Sequence, residues 1–236
     1  MGLLLPLLGC ASFAPSRESV DEHSTVSPWT QASVHEWRHH KFPGKGSTQF
    51  TYTRQDGRDA MAASAVSSAS MLRQAVHIPP AQLGQVKFSW KVPELIAQAD
   101  LALREADDSP VRIVLAFDGD RSRFSAKNAM LSELSHAITG EPLPYATLMY
   151  VWCNSRSPGA IVINPRTDRI RTLVVESGGK NLNQWLDYER DIRADFEKAF
   201  GEAPGALVGI GIMTDTDNTR SSTRAWYGQL TLATAK

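Results

Sequence analysis

The densest run of ligating oxygens in the chain is Met213-Thr214-Asp215-Thr216-Asp217-Asn218-Thr219, where carboxylates and an amide alternate with hydroxyls. Hard oxygen donors crowded into one short loop are what Ca²⁺ takes from a protein, so Asp215 and Asp217 are the candidate metal ligands. The run is not an EF-hand, because the turn glycine and the closing glutamate are missing. The competing reading is an Asx-rich turn whose carboxylates satisfy their own backbone amides. Asp107-Asp108 and Asp118-Gly119-Asp120 stand at the two ends of the apolar run Val111 to Phe117. Paired acids can hold a metal or run acid/base chemistry, although turn residues are the commoner reason for them. Glu176, just before Ser177-Gly178-Gly179, is a further acid. Ser177 itself lacks the glycine two residues earlier that a nucleophile elbow requires. His35-Glu36-Trp37-Arg38-His39 has the spacing of a zinc-protease helix, but Pro43-Gly44 follows within four residues and no long amphipathic helix surrounds it. An ordinary first strand or surface segment is the alternative there.

Aromatic residues are the other chemical lead. Tyr150, Trp152, Trp185, Trp226 and Tyr227 lie on or beside strand-like runs. Sugar faces stack on aromatic rings while acids and amides bind hydroxyls, so rings near an Asp/Asn cluster compose a carbohydrate site. The candidate ligand-binding set is therefore Asp215, Asp217 and Asn218, with Asp107 and Asp108 as neighbours and Trp152 and Trp226 as the rings. The same rings are also what a β-sandwich interior buries.

These residues need strands to position them. Val86, Phe88, Trp90 and Val92 alternate with Lys87, Ser89 and Lys91, the pattern of a half-buried strand. Phe50 and Tyr52 alternate with Thr, and Val111, Ile113, Leu115 and Phe117 form a row opposite Arg112. Further strands are expected over Thr147 to Trp152, Ile170 to Val175, Leu207 to Met213 and Trp226 to Leu232. Two helices interrupt them. Tyr188, Ile192, Phe196 and Phe200 recur every four residues ahead of Gly201, and Met130, Leu131, Leu134 and Ile138 form a stripe ahead of Gly140. Many short strands without regularly interposed helices predict an all-β dominated fold, an antiparallel β-sandwich with one or two peripheral helices.

The chain has 236 residues, 42% hydrophobic and 21% charged, enough apolar side chain for one packed domain. Twenty-five basic residues balance 25 acidic ones, so no global field draws it to nucleic acid. Two cysteines, Cys10 and Cys153, cannot build a disulfide framework. Cys153 reads as a buried thiol in its strand. Residues 1–10 read as the end of a secretory signal, residues 11–34 as a flexible tether rich in Ser, Pro and charge, and residues 35–236 as one β-sandwich domain. Leu7-Leu8-Gly9-Cys10 resembles the lipobox of bacterial lipoproteins, in which the cysteine becomes the acylated first residue. That resemblance implies a lipid on Cys10, and Ala11 after it implies the outer membrane, with the domain facing the periplasm.

The stretches from Pro144 to Trp152, Val175 to Gly178, Arg190 to Phe196 with Ala199-Phe200-Gly201, and Gly211 to Thr219 resemble the bacterial domain-of-unknown-function family numbered 3047. The similarity runs from about Trp90 to the C-terminus, and the Met-Thr-Asp-Thr-Asp-Asn-Thr block is its most specific part. It implies an envelope-associated protein and adds no reaction. Where that family ends in Tyr-Gly-Asp-Ile, this chain has Tyr227-Gly228-Gln229-Leu230, so an aspartate ligand in relatives would be lost here. The leading expectation is an envelope lipoprotein whose sandwich, similar in outline to galactose-binding and carbohydrate-binding jelly rolls, binds a glycan or another polar ligand, with a structural calcium as the candidate ion. An enzyme is the alternative: a glycan hydrolase using two of these carboxylates, with a zinc hydrolase at His35 and His39 behind it. A structural or adaptor protein without a cleft is the third class.

Overall fold

The computed structural model describes residues 26–235; the signal, the lipobox with Cys10 and residues 11–25 of the expected tether lie outside them. Thirteen strands and two α-helices follow one another as β1 (Arg38–Lys41), β2 (Gln49–Gln55), β3 (Arg58–Val66), β4 (Ala69–Ile78), β5 (Leu83–Lys91), β6 (Ser109–Phe117), α1 (Ala126–Thr139), β7 (Ala146–Cys153), β8 (Ile161–Ile163), β9 (Ile170–Ser177), β10 (Trp185–Asp191), α2 (Ile192–Phe200), β11 (Leu207–Asp215), β12 (Ser222–Tyr227) and β13 (Thr231–Thr234). They form a seven-stranded sheet, β1-β4-β11-β6-β7-β9-β8, and a six-stranded one, β10-β5-β12-β3-β2, with β13 pairing β5. The predicted β-sandwich is therefore present. Every strand pair is antiparallel except β7 with β9, which run parallel.

Alternation builds the core as the period of two requires. Val86, Phe88 and Trp90 of β5 point inward at 3% exposure or less. They meet Leu148, Tyr150 and Trp152 of β7 from the facing sheet in one apolar cluster, with the Phe88 and Tyr150 rings 5.6 Å apart. Lys87, Ser89 and Lys91 are left on the outer face. A second, smaller cluster of Val151, Cys153, Val162 and Val174 with Leu101 covers the outside of the seven-stranded sheet. Burial of Cys153 in it matches the sequence reading.

Local chemistry sets the turns and helix ends. The β2–β3 hairpin turns through Asp56-Gly57, both at positive φ (51° and 79°), the conformation that Asp-Gly supplies at low cost. Helix α2 starts where the Asp191 carboxylate accepts the Ala194 N–H and stops at Gly201 in the left-handed region.

Four segments differ from the sequence reading. Residues 26–34 of the expected tether belong to the domain: Val26 and Trp29 are buried in the core, and the Trp29 indole N–H donates to the Gly228 carbonyl at 2.7 Å. Tyr188 lies on strand β10, so its four-residue spacing from Ile192 crosses a strand–helix junction. The single strand expected over Trp226 to Leu232 is split, because Gly228-Gln229-Leu230 dips and buries Leu230 in the core. Helix α1 forms, yet Met130, Leu134 and Ile138 are all more than half exposed. Its polar side faces the protein, where Asn128 donates to Asp168 at 2.6 Å and accepts from Thr167 at 2.8 Å.

Candidate functional site

The sequence-predicted acids converge, and the strand register is the reason. β11 and β6 are antiparallel neighbours with Asp215 opposite Ser109, so the loop after Asp215 meets Asp107 and Asp108. Asp107, Asp108 and Asp215 are all at most 7% exposed. Between them lies Arg112, 3% exposed, which donates from Nε to Asp215 Oδ1 at 2.9 Å and from Nη2 to Asp215 Oδ2 at 3.2 Å and Asp107 Oδ1 at 2.9 Å. Asp215 also accepts the Ser109 N–H at 3.1 Å. Asp108 accepts four bonds, two from Asn218 and two from Thr219. Asp107 takes Asn164 Nδ2 at 2.9 Å, and Asp217 pairs with Lys45.

This is a closed knot rather than a cleft. Burial pushes the Asp215 carboxyl up to about 7, with Asp108 and Asp107 adding to the rise and Arg112 opposing it. The neighbouring acids conversely raise the Arg112 guanidinium above its ordinary range, although burial works against them. Asp108, Asp215 and Asp217 each offer one oxygen within 4.8 Å of the others, an arrangement that could hold a metal ion. Four carboxylates against the two cations Arg112 and Lys45 leave a negative surplus, and the donors are the hard oxygens that Ca²⁺ prefers.

The two predicted rings go elsewhere. Trp152 is 1% exposed in the core, and its indole N–H donates to the Gly178 carbonyl at 2.9 Å, so no face is left for a ligand. Trp226 is half-buried on the outer face of the six-stranded sheet, opposite Lys91. Glu176 is spent on the Tyr188 hydroxyl (2.9 Å), Asn181 and the Ser177 N–H. The zinc-helix spacing is broken, with His35 in a 3-10 turn and His39 on β1, bonded to Ser70 Oγ at 2.8 Å.

The open site lies beside Trp226 on that same outer face. β12 ends at Tyr227, and between β3 and β5 a groove of about 600 Å³ remains. Its floor carries Ser89, the Gly228 backbone and the Lys87–Glu189 pair (3.5 Å), and the Arg58–Asp187 pair (2.8 Å) reaches across it. Gly228 is required at the floor: a Cβ there would stand 2.0 Å from Ser89 Oγ. Asp187 is the register partner of Ser89, Glu189 of Lys87 and Trp185 of Lys91, so Asp187 and Glu189 of β10 line the groove and Trp185 stands next along the same face. Trp185 packs beside Gly228 with the Arg58 guanidinium 5.3 Å from its ring centroid. Of these residues the sequence reading had the outward row Lys87, Ser89, Lys91 and named Trp185 among the aromatic leads, without joining them into a site. The period-two signal in Trp185-x-Asp187-x-Glu189 was there to be found, but the stripe from Tyr188 into α2 overrode it.

A family model described as "Protein of unknown function (DUF3047)" matches residues 35–231. No match is found among the curated proteins. Among solved structures, the family 11 carbohydrate-binding module of a cellulosomal cellulase of Clostridium thermocellum is similar at 9% identity over 85% of this chain and 88% of that one, with a TM-score of 0.42. The xyloglucanase domain of a type three effector from Sinorhizobium fredii, in complex with cellobiose, is similar at 10% identity over 84% and 93%, with a TM-score of 0.43.

Proposed function

We propose, for a chain that belongs to the family of proteins of unknown function DUF3047, that the outer face of the six-stranded sheet binds a glycan without transforming it. The observation that carries this reading is the groove beside β5. It offers hydroxyl, carboxylate, ammonium and guanidinium groups at close quarters, with indoles at its margin. Hydroxyl-rich ligands are recognised by that mixture, and rings without acidic or basic partners would favour an apolar ligand instead. Asp215, Asp217, Asn218, Asp107 and Asp108 take a supporting part in this proposal. They hold the β6 and β11 ends together, and a calcium ion on Asp108, Asp215 and Asp217 would offset their surplus charge. In the same reading the domain is held in the bacterial envelope by a lipid on Cys10, as an outer-membrane lipoprotein facing the periplasm. Labelled palmitate incorporation, lost on Cys10→Ser, tests that tether.

A glycan array with and without calcium tests the binding claim. The expected result is a defined set of glycan signals that survives Asp217→Asn and is lost in a Ser89→Trp variant, which fills the groove. Absence of any signal contradicts it. A melting temperature unchanged by chelation contradicts the calcium part alone.

A further inference from the structure

Resting on that glycan reading, we infer that the groove takes the end of a glycan chain rather than a stretch from its middle. The two ends of the groove are built differently. At one, Glu189 is the direct register partner of Lys87 on the adjacent strand, so their ion pair lies along the floor and bridges nothing. At the other, the tip of the β2–β3 hairpin folds over the outer face. Arg58 reaches from β3 past β5 to Asp187 on β10, 2.8 Å from Nη1 to Oδ1, across the place that β12 has left. One register step further on, Lys91 Nζ donates to Asp56 in the hairpin turn at 2.7 Å. The Arg58–Asp187 pair therefore spans the groove as a bar instead of lining one side of it.

Ser89, the register partner of Asp187, lies at this barred end. The residue is 6% exposed, and its hydroxyl makes no hydrogen bond to another described residue. As a lining group of the groove, that hydroxyl is free to bond whatever enters. Beneath a bar, what enters is the last residue of a chain, because a continuing chain would have to pass through the ion pair. Both members of the bar are largely solvated, so their hold is modest and a single substitution opens it.

Titration calorimetry separates the two modes. The probes are β-1,4-linked oligosaccharides of glucose, mannose and N-acetylglucosamine, each from disaccharide to octasaccharide. A site that accepts internal stretches gains one register per added sugar, so its affinity per chain climbs several-fold along a series. A site that accepts ends does not. The wild-type protein is expected to bind at least one series with affinity level within about twofold beyond the trisaccharide. Arg58→Ala is expected to restore the climb, and Ser89→Ala to lose about tenfold with an unchanged melting temperature. Affinity that climbs with length in the wild type overturns chain-end recognition and leaves the glycan reading standing. If no series binds, the glycan reading falls and this inference falls with it.

Discussion

Arg112 is the residue on which the acidic knot depends, since it is the buried cation between Asp215 and Asp107. Removing one partner of such a set leaves uncompensated charge and costs about 3–5 kcal/mol. Arg112→Met is therefore expected to lower the melting temperature by about 6–20 °C, at about 2–4 °C per kcal/mol for a domain of this size. Asp215 adds a pH dependence of definite sign. Burial holds its carboxyl at about 7, above the ordinary 3.8. A group whose folded value is raised contributes stability below its unfolded value and loses it as pH rises through the folded one. In chelator, the melting-temperature advantage of the wild type over Asp215→Asn is expected to shrink between pH 5 and 8. His39 and His40, lowered chiefly by burial, push the other way in both proteins and cancel in that difference. The sequence put Asp215 and Asp217 forward with Asp107 and Asp108 as candidate neighbours, and left open whether they converge. It could not show that Arg112 is buried, because the cover comes from the segment through Asp107 and not from the strand's own period.

Among the elements, α1 shows where periodicity stops being informative. A stripe at spacing four was legible, and so was Gly140 behind it, which the structure places at φ 78°. Which side of the helix faces the protein was not, because Asn128 and Ser132 are held by partners outside the helix, Asp168 and Arg121. Met130→Ser, Leu134→Ser and Ile138→Ser are each expected to stay within about 0.5 kcal/mol of wild type in denaturant unfolding. Asn128→Ala, which strips partners from Asp168 and Thr167, is expected to cost about 1–3 kcal/mol. A core stripe would reverse that order. Strand β10 makes the complementary point. Its alternation was present in Trp185, Asp187 and Glu189, but the regular spacing of Tyr188, Ile192, Phe196 and Phe200 matched a helix equally well. The junction becomes visible only through Asp191, whose carboxylate caps α2.

At the scale of the whole molecule, the sandwich was legible because two-residue alternation repeats along the chain and each instance leaves one apolar face to bury. The groove was not, because it depends on β12 stopping at Tyr227 and on the hairpin tip meeting β10, both of them contacts between distant segments. The same long-range packing draws Trp29 into the core. The two candidate regions lie on different sheets: the knot at the β6 and β11 ends of the seven-stranded one, the groove on the outside of the six-stranded one. A single mapping experiment therefore separates them. Amide chemical shifts recorded as the strongest glycan from the array is titrated in should move at residues 86–91, 185–190 and 228–231, with little change at 107–109 and 215–219. Shifts concentrated on Asp108, Asp217 and Asn218, with the β5 and β10 amides unmoved, would contradict the assignment of the binding face.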